Sequence, residues 1–170
     1  MTTLVVDPAV GLVQHAVRNL TNGGDGFTIE QIYDYRPEGI AVNQQRLSVS
    51  LGSLKTVKTL LPTGSALWLG INDGPGAHHE FDLQGKDIAG HEIVDVLRTE
   101  KITVGGQSVS ADVVRTALTF SGSASGSIVL DQWFVRSARV VGKEHLDGDV
   151  RASLVRLTTK YDAVLRRLSP

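Results

Sequence analysis

The chain has 170 residues, of which 41% are hydrophobic and 21% are charged, and its formal net charge is −1. This composition is that of a folded protein, and the length fits one domain, which we place at residues 1–170. The near-zero charge lacks the positive excess typical of nucleic-acid binding proteins, so nucleic acid is not an expected partner. Because the sequence contains no cysteine, disulfide bonds and thiolate metal sites are excluded.

The start of the sequence indicates a protein that is made in the cytoplasm. Residues 1–7 lack the basic start and the longer apolar stretch of a signal peptide. No apolar run approaches the roughly 18–20 residues that a membrane-spanning helix needs. We therefore expect cytoplasmic synthesis, no membrane partner and, for a subunit of a larger structure, later incorporation into an assembled particle.

The first predicted element is an amphipathic helix over residues 8–21. Asp7 is a suitable N-cap, and Pro8 stands where a helix has no need of its N–H. Apolar residues then recur at spacings of three and four, which places them on one helical face. They are Val10, Val13, Val17 and Leu20. The Asn-Gly-Gly at 22–24 readily takes the left-handed conformation of a helix end.

The next part of the chain combines a strand with two less regular segments. Residues 27–35 alternate as a strand does, but Thr28 and Gln31 also form a capping box for a short helix, so both structures stay open. Residues 47–51 alternate between apolar and serine residues, which predicts a strand with one buried face. Residues 53–61 fit two helical turns closed by the following proline.

A second group of strands is predicted in the centre of the sequence. Residues 66–69 form a short apolar strand, followed by an Asn-Asp-Gly turn at 72–74 and a returning strand at 79–83. Residues 86–100 fit a helix or a strand, and the helix is favoured. The predicted chain therefore turns back on itself at least once in this region.

Two hairpins follow. Residues 101–104 and the chain from Gln107 are separated by two glycines, a connection that tolerates positive φ at both positions. Residues 113–120 are predicted to join a long strand at 128–141 through a flexible serine- and glycine-rich loop at 121–127. Strands joined by such short connections pair antiparallel.

The last predicted element is a helix that follows the caps Asp147 and Asp149. Apolar residues recur at spacings of four, three, four, three and four, which is the seam of a packed helix. They are Val150, Leu154, Leu157, Tyr161, Val164 and Leu168. The predicted fold class is therefore α+β, with a hairpin-rich antiparallel sheet flanked by an N-terminal and a C-terminal amphipathic helix.

The candidate metal-binding or catalytic residues lie around the Gly-rich segment 70–76. Histidines and acids that could bind a metal ion or take part in catalysis are His78, His79, His91 and Glu92, with Asp73 nearby. Neighbouring residues on a strand point to opposite faces, so His78 and His79 are not expected to hold one ion. No second histidine completes the zinc-protease helix pattern after His91. This segment supports a metal- or ligand-binding enzyme only as an alternative.

The sequence favours a non-enzymatic structural subunit without a cofactor. Such a subunit would assemble with copies of itself or dock with partner proteins, as virion, phage-tail or secretion-apparatus components do. The candidate interface consists of the apolar stripes of the two terminal helices. Its residues are Val150, Leu154, Leu157, Tyr161, Val164, Leu168, Val10, Val13 and Val17. A second alternative is a protein-binding adaptor or chaperone-like domain.

Overall fold

A computed structural model describes residues 2–6, 13–22, 25–51, 54–152 and 155–164. Within these ranges the regular structure is all β. Twelve strands, β1 to β12 in chain order, are Thr2–Val6, Val13–Asn22, Asp25–Arg36, Gly39–Leu51, Leu54–Pro62, Leu67–Gly70, His78–Gly85, Ile88–Val104, Gln107–Gly122, Ala124–Val135, Val140–Ala152 and Val155–Val164. Nothing helical in these ranges has the length and hydrophobicity to cross a bilayer.

The strands form one antiparallel sheet that curls into a half-barrel. Eleven of the described strands follow one another in chain order across the sheet, and β6 pairs with β4 instead of standing between β5 and β7. The link between the two halves of the sheet is short, because β5 pairs with β7 only through Leu61–Gln84 and Pro62–Leu83. Neighbouring strands are thus joined mostly by hairpins, as antiparallel pairing allows.

The strands alternate between an inner and an outer face. On β11, Glu144, Leu146 and Val150 are buried inside the curl, whereas the intervening His145 and Asp147 face outward. This period of two is what a strand with one covered face requires. The main core therefore lies on the concave side of the sheet.

Trp68 on β6 stands at the centre of that core with 2% of its surface exposed. Its ring centroid lies 5.3 Å from that of Tyr33 on β3 and 5.6 Å from that of Phe134 on β10. The indole N–H donates to the hydroxyl of Thr116 on β9 over 3.0 Å. One side chain thus packs against strands from both halves of the curled sheet, and its only polar atom is satisfied.

A second, smaller cluster lies under the far end of the β8–β9 hairpin. We call this end, residues 98–112, the arm. Register shifts at Val96/Arg98 and at Trp133/Phe134 bend the sheet where the arm begins. The buried residues of the cluster are Ala111, Val113, Trp133 and Val135. The arm therefore has its own apolar contacts, separate from the main core.

The α+β prediction is wrong, and both terminal helices are strands. The predicted N-terminal helix at 8–21 is replaced by β2 from Val13, while residues 8–12 lie outside the described ranges. The predicted C-terminal helix after Asp149 is replaced by the end of β11 and by β12. A spacing of four returns to the same side of a strand as well as of a helix, because four is a multiple of two.

The spacings of three distinguish the two structures. Tyr161 is buried on β12, but Val164, three residues later, has 54% of its surface exposed, as the strand period demands. On a helix both would lie on one face. At the other terminus, Asn22 pairs with Asp25 across the two glycines, so the Asn-Gly-Gly connects two strands. The same residues are typical of hairpins and of helix ends.

Two central helix predictions are also wrong. Residues 53–61 were expected to form helical turns, but Leu54–Pro62 is strand β5. Residues 86–100, where the helix was favoured, belong to the 17-residue strand β8. The open segment 27–35 is part of strand β3. In each case pairing with a strand elsewhere in the chain outweighs the local preference.

The predicted flexible loop at 121–127 is mostly strand. β9 runs to Gly122 and β10 starts at Ala124. A Cβ at Gly122 would lie 2.3 Å from the carbonyl oxygen of Asp87, and one at Gly126 would lie 2.1 Å from that of Asp149. These glycines allow neighbouring backbone to approach closely. The serine- and glycine-rich composition is typical of a flexible loop, so it did not indicate a strand here.

Other strand predictions are confirmed within a few residues. Residues 47–51 lie in β4, residues 79–83 lie in β7, and the short apolar strand at 66–69 appears as β6. Gly105 and Gly106, with φ of 57° and 82°, connect β8 and β9 as the hairpin prediction requires. The long strand predicted at 128–141 is divided, because β10 ends at Val135 and β11 begins at Val140.

Candidate functional site

Of the three histidines of the predicted metal site, two share the outer face. The Nε2 atoms of His78 and His91 lie 4.0 Å and 3.9 Å from Glu80 Oε2. His78 Nδ1 lies 2.7 Å from Asp95 on the outer face, and His91 Nδ1 lies 2.8 Å from Asp82 on the same face. His79 lies on the other side of β7, where its Nε2 is 2.6 Å from Asp73 Oδ2. The expected opposition of His78 and His79 is confirmed.

Glu92 is fully buried inside the half-barrel and accepts a hydrogen bond from the side-chain amide of Gln45 on β4. It is therefore separated from His91, which is partly exposed on the outer face. Across the described ranges, no group of three or more His, Cys, Asp or Glu residues is placed to hold a metal ion. The four predicted ligands do not converge on one point.

Asp73 organises the loop between β6 and β7. Its carboxylate accepts a hydrogen bond from the N–H of Gly70 at 2.5 Å and faces His79. Partial burial works to raise the pKa of Asp73, but the hydrogen bonds from His79 and Gly70 and the charges of His79 and Arg136 hold that pKa below its usual value. Asp73 therefore serves to fix the loop.

Arg136, from the turn between β10 and β11, holds the same loop from the other side. Its guanidinium donates to the carbonyl oxygens of Gly70 at 3.2 Å, Ile71 at 3.3 Å and Asp73 at 2.7 Å. It also forms an ion pair with Asp112 at the base of the arm. Arg136 thus ties one turn to a loop more than 60 residues away in the chain.

A cavity of about 470 Å³ opens beside this loop. It lies between the β3–β4 turn, the β6–β7 loop and the β10–β11 turn. Its lining residues in the described part of the chain are Tyr35, Arg36, Pro37, Gly39, Ile40, Leu69, Gly70, Ile71, Phe134, Arg136 and Arg139. The walls are mainly apolar, and the charges on the lining side chains are those of arginines. We call this cavity the arginine pocket.

Tyr35 and Arg139 form one wall of the arginine pocket. The guanidinium carbon of Arg139 lies 5.9 Å from the ring centroid of Tyr35. The Tyr35 hydroxyl donates to the backbone carbonyl of Arg139 at 3.0 Å and lies 2.9 Å from the side-chain oxygen of Gln14. Burial raises the pKa of Tyr35 to about 12, although the charge of Arg139 opposes the rise. The phenol is therefore neutral near pH 7.

Sequence reasoning missed this pocket. Tyr35 and Arg139 are 104 positions apart, and no motif links them. The available signal was the interruption of the predicted strand 128–141 by a charged Arg-Ser-Ala-Arg stretch at 136–139, which is typical of a turn. Even so, the partners of that turn could not be identified without the fold.

The predicted interface residues fall into different environments. Val150 and Tyr161 are buried in the protein's own core, and Leu157 packs against that core. Val17 is half-buried on β2, and Val164 is exposed. Of the remaining candidates, Val13 begins β2. Those outside the described ranges are Val10, Leu154 and Leu168.

The two ends of the sheet are β1 and β12. β1 has five residues and pairs with β2, and β12 has ten residues and pairs with β11. In the ranges that the structure covers, no strand lies beyond either one. On the outer face of β12, Arg156 pairs with Asp149 at 2.7 Å and Lys160 pairs with Asp147 at 2.7 Å.

Comparison with known proteins gives no matching family model, no similar curated protein and no similar solved structure. What the protein does is therefore inferred from its own residues. Two features of the described residues serve that purpose, the sheet edges beyond which no described strand lies and the arginine pocket.

Proposed function

We propose that the protein is a non-enzymatic structural subunit that assembles with copies of itself through the edge of its sheet. The observation that carries this proposal is β12, a ten-residue strand with β11 on one side and no described strand on the other. An unpaired edge presents backbone N–H and C=O groups that another strand can bind. Self-assembling subunits of this kind occur in virions, phage tails and secretion apparatus, and this is the class that we propose.

The other surfaces of the sheet are less suited to association. The inner face is filled by the protein's own core, which includes Tyr161 from β12 itself. The outer face carries exposed cross-strand ion pairs such as Lys160–Asp147, at 2.7 Å. Exposed pairs of this kind contribute only about 0–1 kcal/mol each and keep the surface well solvated. Among the surfaces that the structure describes, backbone pairing at the edge is therefore the contact that we propose.

The occupant that we propose is β12 of a second copy, in antiparallel orientation about a two-fold axis. β1 has half the length of β12, so β12 matches another β12 better. When Thr159 lies on the axis, Arg156 of each copy stands opposite Asp162 of the other. Opposite charges facing each other across strands stabilise such a pair by about 0.2–1 kcal/mol.

The native mass in solution tests the proposal. We expect light scattering and native mass spectrometry to give at least twice the chain mass of 18.2 kDa. Asp162→Arg places two positive charges opposite each other at both ends of the contact, and Arg156→Asp does the same with negative charges. Each variant alone should dissociate, and an equimolar mixture of the two should restore the dimer as a heterodimer.

Asp82→Arg is the matched control, because Asp82 on β7 is an exposed outer-face aspartate that faces a histidine, as Asp162 does, but it lies away from the edge. It should leave the native mass unchanged. A wild-type protein that stays monomeric at the highest soluble concentration would contradict the proposal. Association that survives Asp162→Arg would contradict the proposed register.

A further inference from the structure

We infer that the arginine pocket binds a small anion with an apolar body, an alkyl carboxylate of medium chain length. This inference concerns the end of the half-barrel where three turns meet and does not depend on edge pairing. The volume of about 470 Å³ falls within the roughly 300–1,000 Å³ of small-molecule sites. The class of ligand follows from the walls and the charges.

The apolar walls of the arginine pocket favour a ligand with an apolar body. Ile40, Leu69 and Phe134 are buried residues that face the cavity. Ile71 lines the same cavity and has 64% of its surface exposed. A large exposed apolar residue beside a concave apolar surface is typical of a ligand-binding site.

The charged side chains that line the arginine pocket favour an anionic ligand. No acidic side chain lines the cavity among the described residues, whereas three arginines do. Two of them are already engaged, Arg136 by Asp112 and Arg36 by Asp34 at 3.4 Å. Arg139 stacks against Tyr35, and within the described ranges no carboxylate forms an ion pair with it. A guanidinium in this position can bind a carboxylate through two parallel hydrogen bonds.

Hydrogen bonds within the chain hold the pocket in shape. The N–H of Ile71 donates to the carbonyl oxygen of Glu38 at 2.9 Å, which ties the β6–β7 loop to the β3–β4 turn. Arg139 has a φ of 51°, and its backbone N–H donates to the carbonyl of Arg136 at 3.2 Å. A cavity with walls fixed in advance loses less entropy when a ligand binds.

Isothermal titration with three probes of equal chain length tests the charge preference. The probes are decanoate, decan-1-ol and decyltrimethylammonium, each used as monomers in solution. We expect saturable 1:1 binding of decanoate, binding of the alcohol weaker by about tenfold because it forms no charged hydrogen bonds, and no binding of the cation. Equal binding of decanoate and decan-1-ol, or no binding of decanoate, would overturn the inference.

Variants then locate the site. Arg139→Gln should weaken decanoate binding about tenfold but leave decan-1-ol binding unchanged. Arg139→Lys should weaken decanoate binding less than Arg139→Gln does. Ile71→Ser should weaken both. Arg115→Gln, which removes an arginine from the outer face, is the matched control and should change neither.

Decanoate binding that is insensitive to Arg139→Gln would place the ligand elsewhere and refute the assignment. Asp162→Arg should bind decanoate normally, which separates this result from the assembly test.

Discussion

Asp73 shows how a single carboxylate can hold a loop in this fold. It receives hydrogen bonds from a backbone N–H and from His79, and the nearby Arg136 adds positive charge. Each of these partners favours the ionised form, and together they outweigh the effect of burial on its pKa. The side chain is mostly covered, with 18% exposed, so solvent screens these interactions only in part.

Replacement of Asp73 should reveal this contribution through pH. The folded-state pKa lies below the unfolded value, so the ionised carboxylate stabilises the fold above the unfolded pKa, and this stability is lost as pH falls through the folded pKa. We expect Asp73→Asn to lower the free energy of unfolding by about 1–3 kcal/mol at pH 7. The difference from wild type should shrink steadily in acid.

Urea denaturation of both proteins from pH 7 downward measures this effect. Asp82→Asn is a suitable control, because Asp82 also faces a histidine but is 71% exposed. Its effect at pH 7 should be well under that of Asp73→Asn. A difference between wild type and Asp73→Asn that stays constant into strong acid would show that the carboxylate charge has no such role.

The arm is the element that is most independent of the main core. Trp133 covers it from β10, with its indole N–H donating to Glu100 and the ammonium of Lys143 lying 4.2 Å from its ring centroid. Gly142 permits this packing, since a Cβ there would lie 2.9 Å from the Cδ1 of Ile102. The stability of the arm therefore depends mainly on one aromatic side chain.

Trp133→Ala should loosen the arm before the rest of the sheet. Loss of a buried tryptophan costs about 3–5 kcal/mol, and we expect the loss to appear first as faster amide hydrogen exchange at residues 98–112. Exchange on β3 and β4, which contact the main core, serves as the internal control and should change much less. Equally faster exchange on all strands would show that the arm and the main core unfold together.

At the scale of the whole molecule, contacts across the concave face hold the two halves of the sheet together. β5 and β7 share only a short pairing, so the side chains inside the curl carry much of the connection. Trp68 spans the interior by its contacts with Tyr33 and Phe134. Gln45 on β4 reaches Glu92 on β8 in the same way. The molecule should therefore unfold in a single cooperative step.

Glu92→Ala tests this connection. The variant leaves the amide of Gln45 buried without this acceptor, which should cost about 1–3 kcal/mol. Glu92→Gln keeps the shape and an acceptor oxygen, so it should cost less. Denaturant unfolding followed by tryptophan fluorescence and by far-UV circular dichroism should give coincident transitions for both variants. Separate transitions would mean that the two halves of the sheet are independent folding units.

Part of this architecture could be predicted from the sequence. The clean alternation at 47–51, the returning strand at 79–83 and the two glycines at 105–106 all appear as expected, because strand period and turn chemistry are local properties. The opposition of His78 and His79 followed from the same period. The amino-acid sequence also determined the absence of cysteine and the near balance of charge.

The tertiary structure decided what spacing alone leaves open. Residues four apart, such as Leu157 and Tyr161, share one face of a helix and of a strand alike, so only pairing with β11 determines which of the two forms. The arginine pocket depends on Tyr35 and Arg139, which the curl of the sheet brings together from 104 positions apart. Hydrogen bonds and packing between distant segments select one structure among those that the local pattern allows, and this selection is invisible in any short stretch of the chain.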